Sequence, residues 1–137
     1  MKADSRQEGL RWLEQAKHDL EDAEYLRTGG RYNSACFMAQ QSAEKTLKAY
    51  LYWCGEEIVL GHSTAELAKR CLKQDMNLDK HLKKIPLLDK YYIPTRFPNG
   101  LADGGIPFMA YDEDDADKAI KIAQDLQNAI ADKMKDA

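Results

Sequence analysis

The sequence predicts an all-α domain, an up-and-down antiparallel bundle of four principal helices plus one short helix. Apolar residues recur at steps of three and four along most of the chain, which is the spacing of one face of an α-helix. Glycine and proline cluster at the places where that spacing stops. No stretch shows the alternation of apolar and polar residues that is typical of a β-strand.

The first two helices are predicted at residues 5–28 and 32–54. Leucines and alanines form one apolar stripe along the first helix. Gly29 and Gly30 follow it, and glycine readily adopts the left-handed conformation that ends a helix. The second helix is apolar on most of its faces, so we expect it to lie in the centre of the bundle.

One polar stripe interrupts the apolar surface of the second helix. Gln41, Glu44, Lys45 and Lys48 lie at i, i+3, i+4 and i+7 and therefore share one face. Two interpretations are open. The stripe is either a solvated face held by an i,i+4 pair between Glu44 and Lys48, or the lining of a functional groove.

The third helix and the segment after it are shorter. Ser63 and Glu66 have the spacing of a capping box, so a short helix is predicted to begin at Ser63. Residues 78–92 keep the helical spacing, but Pro86 lacks a backbone donor and is predicted to break that helix.

Residues 93–111 are predicted to be a structureless connection, because three prolines and three glycines lie within them. The last helix is predicted at residues 113–135. Acidic residues crowd its N-terminus and lysines lie near its C-terminus, as the helix dipole favours.

Length and composition predict one domain over residues 1–137. The chain is 44% hydrophobic and 31% charged, which is typical of a water-soluble protein with one core. No apolar run approaches the roughly 20 residues that span a bilayer, and the start lacks the apolar core of a signal peptide. We therefore expect a cytoplasmic protein without membrane association.

The charge is unevenly distributed along the chain. The net charge of −3 argues against broad non-specific binding to nucleic acid. Residues 69–90 nevertheless carry seven lysines and arginines against three aspartates.

No metal site and no cofactor are expected from the sequence. The three cysteines are odd in number and far apart, so they indicate neither a disulfide framework nor a CxxC pair. The three histidines lack the mutual spacing of metal ligands, and the glycines match no phosphate-binding loop.

Four segments together resemble the HEPN domain family, named for higher eukaryotes and prokaryotes and for suspected nucleotide binding. They are residues 16–20 (AKHDL), 37–49 (FMAQQSAEKTLKA), 61–62 (GH) and 91–98 (YYIPTRFP). The run in the second helix is the most specific of the four. Their order and spacing cover about residues 7–133 of the chain.

The resemblance implies a helical bundle that forms a homodimer and has a small nucleotidyltransferase-like protein as partner. Some family members are toxins that cut RNA, and these carry an arginine followed four to six residues later by histidine. Arg96 has the corresponding position here, but no histidine follows it within seven residues. We therefore name no catalytic residue and lean against an enzymatic activity.

A phosphate- or nucleotide-binding groove is the predicted site. Its residues are Gln41, Lys45, Lys48, His62, Tyr91 and Arg96. Lysine and arginine can neutralise phosphate, and tyrosine offers a stacking face for a base. Each residue also has a structural interpretation: Arg96 can pair with an acid or cap loop carbonyls, and His62 can make a local hydrogen bond.

Three functions are compatible with the sequence. The favoured one is a non-catalytic module that binds nucleotide or RNA phosphate, as one half of a two-component toxin–antitoxin system with a nucleotidyltransferase. The second is a structural bundle for dimerisation or partner docking, which the apolar second helix allows. An RNA-cleaving toxin is the least favoured.

Overall fold

Three long helices form the framework of the molecule. The computed structural model describes residues 2–135, with side chains from residue 4 onward. The helices are α1 (Lys2–Thr28), α2 (Tyr32–Trp53), α3 (Thr64–Gln74), α4 (Asp79–Leu82), α5 (Pro107–Ala110) and α6 (Glu113–Lys133). Turns of 3₁₀-helix lie at Met76–Leu78, Ile85–Tyr91 and Pro98–Gly100. No strand occurs in the part of the chain that the structure describes, which confirms the predicted all-α class.

The helices α1 and α2 pack as an antiparallel hairpin. The chain turns at Gly30, whose φ of 75° lies in the region that glycine adopts without strain. Gly9 permits a close approach, because a Cβ atom there would lie 2.7 Å from the carbonyl oxygen of Ala49. Further along, the Ser42 hydroxyl donates to the carbonyl of Ala16 at 2.7 Å. The two backbones are therefore nearly in contact.

The central position of α2 was predicted and is observed. Of its 22 residues, 14 are buried. The helices α1, α3, α5 and α6 all pack against it. The amide of Gln127 fixes α6 to it by donating to the hydroxyls of Ser42 at 3.1 Å and Thr46 at 3.4 Å. Polar residues on α2 are therefore enclosed wherever a neighbouring element covers them.

The helix predicted over residues 78–92 is broken, as we expected from Pro86. Residues 76–91 form two 3₁₀ turns with the short helix α4 between them, and Pro86 lies in the first turn of the second. Ile85, Leu88 and Tyr91 are buried and spaced by three, which is the period of a 3₁₀-helix. The predicted structureless connection contains one 3₁₀ turn and α5.

The helix ends follow the sequence in most respects. Ser63 caps α3, and its hydroxyl accepts from the Glu66 amide at 3.2 Å, whereas the Glu66 carboxylate pairs with Lys69 at 3.6 Å. Only half of the predicted capping box is thus observed there. A complete box opens α6, where the Asp112 and Asp115 carboxylates each accept from the other's amide at 2.9 Å.

Across residues 2–135 we find no helix that is both long enough and apolar enough to cross a membrane.

Candidate functional site

Two ion pairs engage the lysines of the polar stripe on α2. Lys45 Nζ lies 2.5 Å from Asp19 Oδ2, and Lys48 Nζ lies 3.2 Å from Glu44 Oε2. The two carboxylate side chains are 4% and 5% exposed, while the lysines are 25% and 7% exposed. Each lysine is therefore neutralised by a buried acid, and the four groups together carry no net charge.

Glu44 is the centre of a buried hydrogen-bond network. Its Oε2 atom accepts from Lys48 and lies 3.2 Å from His62 Nδ1, and its Oε1 accepts from Gln40 Nε2 at 3.3 Å. Gln41 donates in turn to the amide oxygen of Gln40 at 2.8 Å. A buried carboxylate is stable only when its lone pairs are satisfied, and these contacts meet that need.

The loop before α3 holds His62 at the mouth of this network. Gly61, with a φ of 105°, turns the chain immediately before it. Asp89 then fixes the start of α3 by accepting from the amide of Thr64 at 2.6 Å and from its hydroxyl at 2.7 Å. The His62 side chain is 62% exposed, and its Nε2 atom has no partner in residues 2–135. One imidazole nitrogen thus faces a buried carboxylate and the other faces solvent.

Arg96 lies among three aromatic rings. Its Cζ atom is 4.2 Å from the ring centroid of Phe37, 4.9 Å from that of Tyr92 and 5.0 Å from that of Phe97. Its Nε donates to the Tyr92 carbonyl at 2.9 Å, and the His62 ring stacks on Tyr92 at 5.0 Å. No carboxylate of the described residues pairs with Arg96. We call these five residues the Arg96 cluster.

Tyr91 lies outside the Arg96 cluster. Its side chain is buried and meets the ring of Tyr111 edge-on, with 6.1 Å between the centroids. Burial raises the pKa of Tyr91 to about 12. The neighbouring Tyr92, rather than the predicted Tyr91, lies beside His62 and Arg96.

The structure thus brings His62 and Arg96 to one cluster and connects Gln41 and Lys48 to His62 through Gln40 and Glu44. Lys45 is engaged with α1 instead.

The rings that hold Arg96 are not among the residues predicted from the sequence. They belong to Phe37, Tyr92 and Phe97. All three lie in the segments at 37–49 and 91–98 that carry the family resemblance. Their place in those segments is the sequence feature that could have identified them as site residues. Spacing alone cannot distinguish them from core residues, because aromatic residues most often serve the core.

A second polar group on α1 has the geometry of a cation site. His18, Asp19 and Asp22 each place one ligand atom within 4.8 Å of the others. Asp19 already binds Lys45 and accepts from Gln15 at 2.8 Å, and His18 pairs with Asp22 at 3.6 Å. Both carboxylate oxygens of Asp19 thus have partners, and these contacts explain its burial without a metal.

These features define a small helical domain with buried ion pairs on its central helix and a cationic, aromatic cluster at its surface. The sequence matches the HEPN domain over residues 10–133. Because this match covers most of its length, the chain belongs to the HEPN domain family.

Two solved structures resemble the chain over most of its length. TT1696 from Thermus thermophilus is 35% identical, with a TM-score of 0.83 over 91% of this chain and 97% of that one. ST0689, described as an archaeal HEPN homologue, is 36% identical, with a TM-score of 0.75 over 92% and 97%. A Methanocaldococcus jannaschii protein named "Putative toxin MJ1304" is 25% identical over 134 residues, 91% of this chain and 87% of its own length.

Proposed function

We propose that this HEPN domain is a non-catalytic module that binds the phosphate of a nucleotide or of RNA at the Arg96 cluster. The observation that carries the proposal is that no carboxylate among the residues that the structure describes pairs with Arg96. Its Nε bond to a carbonyl and the surrounding rings fix the guanidinium plane. A fixed guanidinium without a carboxylate suits bidentate binding of phosphate.

The rings of the cluster add a surface for a base. Phe97 is 48% exposed, and Tyr92 is partly exposed between His62 and Arg96. Stacking of a base on an aromatic ring contributes about 1–3 kcal/mol and requires an unpaired base. The cluster therefore suits a nucleotide or single-stranded RNA better than a duplex.

Lys48 and Gln41 have a supporting role in this proposal, whereas Lys45 is engaged with Asp19 on α1. The internal ion pairs of the two lysines leave little charge for a ligand, so Lys48 and Gln41 act by holding Glu44 and Gln40, which in turn position His62.

Calorimetric titration with AMP and with a single-stranded oligouridylate tests the proposal. We expect Arg96→Gln to weaken binding by about tenfold or more, which is about 1.4 kcal/mol. Arg96→Lys should lose nearly as much, because lysine keeps the charge but not the planar fork. Arg11→Gln is the matched control, since that side chain is 79% exposed and pairs with Glu8. Wild-type affinity in Arg96→Gln, or no binding at millimolar ligand, would refute the proposal.

The homodimer and the nucleotidyltransferase-like partner stay predictions from the family resemblance. Light scattering on the purified protein measures the first, and mass spectrometry of chains that co-purify from the native cytosol measures the second. A monomer at high concentration with no co-purifying chain would contradict both.

RNA cleavage is a second candidate function, favoured by the contact between His62 and Glu44. A carboxylate beside one imidazole nitrogen fixes the ring and leaves the other nitrogen to move a proton. The ribose 2′-oxygen would attack the adjacent phosphorus while His62 Nε2 takes its proton. The bond from phosphorus to the 5′-oxygen would break, with water protonating the leaving oxygen and Arg96 binding the phosphate oxygens.

Incubation with a fluorogenic oligoribonucleotide separates this candidate from simple binding. Cleavage that is lost in His62→Asn and kept in His81→Asn would support it. If the wild-type protein binds the oligomer but leaves it intact, the non-catalytic module stands and cleavage is excluded.

A further inference from the structure

A basic groove separates residues 77–91 from α6. Its two adjoining parts have volumes of about 830 Å³ and 440 Å³, and they meet at Lys84, Lys121 and Ile122. None of its lining residues belongs to the Arg96 cluster. We call it the lysine groove.

The charge of the lysine groove is opposite in sign to that of the whole chain. Seven lysines and three aspartates line it. Three of these lysines pair with aspartates just outside the lining, which leaves a formal charge of +1 in a protein of net charge −3. Lys80, Lys84 and Lys90, all on the same wall, pair with no carboxylate among the residues that the structure describes. Unpaired like charges along one wall attract an acidic partner and repel a basic one.

The floor of the groove is aliphatic. Leu87 is 53% exposed there, and Ile122 lies partly exposed on α6. Two rings line the groove: Tyr91 is 4% exposed and offers no face to a base, and the imidazole of His81 is partly exposed. Single-stranded RNA would find phosphate contacts here but little to stack on. An amphipathic helix would find both an apolar strip and flanking cations.

We propose that the lysine groove docks an acidic amphipathic helix from a partner protein. The apolar face of that helix, at i, i+3, i+4 and i+7, would cover Leu87 and Ile122. Its flanking carboxylates would pair with Lys80, Lys84 and Lys90. The proposal is independent of the ligand of the Arg96 cluster, because it uses none of the same side chains.

Fluorescence anisotropy with a labelled synthetic peptide tests the proposal. The peptide carries leucine at helical spacing on one face and glutamate on the others. We expect micromolar binding to the wild-type protein and at least about tenfold weaker binding to Lys80→Glu/Lys84→Glu. Lys17→Glu/Lys69→Glu makes the same charge change on α1 and α3 and should bind within about twofold of wild type.

A scrambled peptide of the same composition separates docking from plain charge attraction. It keeps every glutamate but loses the apolar face, so we expect binding at least about tenfold weaker. Equal affinity for both peptides would overturn the proposal. Two other results would also overturn it. One is binding of an oligouridylate in this groove when the designed peptide does not bind, and the other is a wild-type dimer that dissociates in Lys80→Glu/Lys84→Glu.

Chemical-shift mapping on the wild-type protein provides a test that needs no variant. The amide signals of Leu87 and Ile122 should shift on peptide addition, while that of Phe97 in the Arg96 cluster should not. If the two groove signals stay in place at saturating peptide, the docking proposal is wrong.

Discussion

At the scale of single residues, Glu44 determines the role of the polar stripe. The predicted i,i+4 pair with Lys48 is present, but both side chains are buried rather than solvated. Burial removes several kcal/mol of hydration from each ion, and only a satisfied network offsets that cost. The contacts of Glu44 with Lys48, Gln40 and His62 provide this network.

Glu44→Gln should therefore be strongly destabilising. It leaves the ammonium of Lys48 buried without a counter-charge, which costs about 3–5 kcal/mol of unfolding free energy. Urea denaturation measures the loss, and adding Lys48→Met should restore part of it by removing the orphaned charge. Glu66→Gln is the control, because its exposed pair with Lys69 contributes less than about 1 kcal/mol. Similar losses in Glu44→Gln and Glu66→Gln would contradict this account.

Sequence spacing predicted which residues share the stripe but not how deep they lie. The depth of Lys48 depends on Trp12, whose ring centroid lies 5.6 Å from Nζ, and on the loop that returns His62 to Glu44. Both are contacts between distant parts of the chain, and a helical pattern carries no information about them. For the same reason the pattern could not indicate that Tyr92, and not Tyr91, lies beside Arg96.

At the scale of elements, a small residue sets the distance between α1 and α2. An added Cβ on Gly9 would lie 2.7 Å from the carbonyl oxygen of Ala49 and 3.0 Å from the amide nitrogen of Trp53. Both atoms are backbone atoms, so no side-chain movement relieves the overlap. Periodicity predicted both helices, whereas this close approach depends on a partner far along the chain.

Gly9→Ala should lower stability although alanine favours helices. The helical preference gains about 1 kcal/mol, but overpacking against backbone costs about 1–3 kcal/mol and forces the helices apart. Gly29→Ala is the matched control, because its nearest atoms would be 3.7 Å away. Thermal denaturation should show a lower midpoint for Gly9→Ala and a nearly unchanged one for Gly29→Ala. A Gly9→Ala protein as stable as wild type would contradict this account of how the close approach at Gly9 affects stability.

At the scale of the whole molecule, burial in the core raises the pKa of several cysteine and tyrosine side chains. Burial raises the pKa of Cys36 and of Tyr91 to about 12, and it raises the pKa of Tyr50 and of Cys71 as well. An unfolded chain releases the same protons near about pH 8.5 for cysteine and about pH 10 for tyrosine. Composition predicted one apolar core, but it did not indicate which ionisable residues lie in that core. Those residues make the free energy of unfolding depend on pH.

The free energy of unfolding should therefore fall at alkaline pH. Below the pKa values of the unfolded chain, both states keep these protons, so the groups contribute a constant amount to the free energy of unfolding. Above those values only the unfolded state releases protons, and stability declines towards about pH 12. Urea denaturation between about pH 7 and about pH 11 measures the decline. Tyr91→Phe should reduce the loss above about pH 10, because it removes a buried hydroxyl; Tyr25→Phe, at a residue that is 80% exposed, is the control. Identical declines in both variants would show that Tyr91 titrates normally in the folded protein, against the burial seen at its ring.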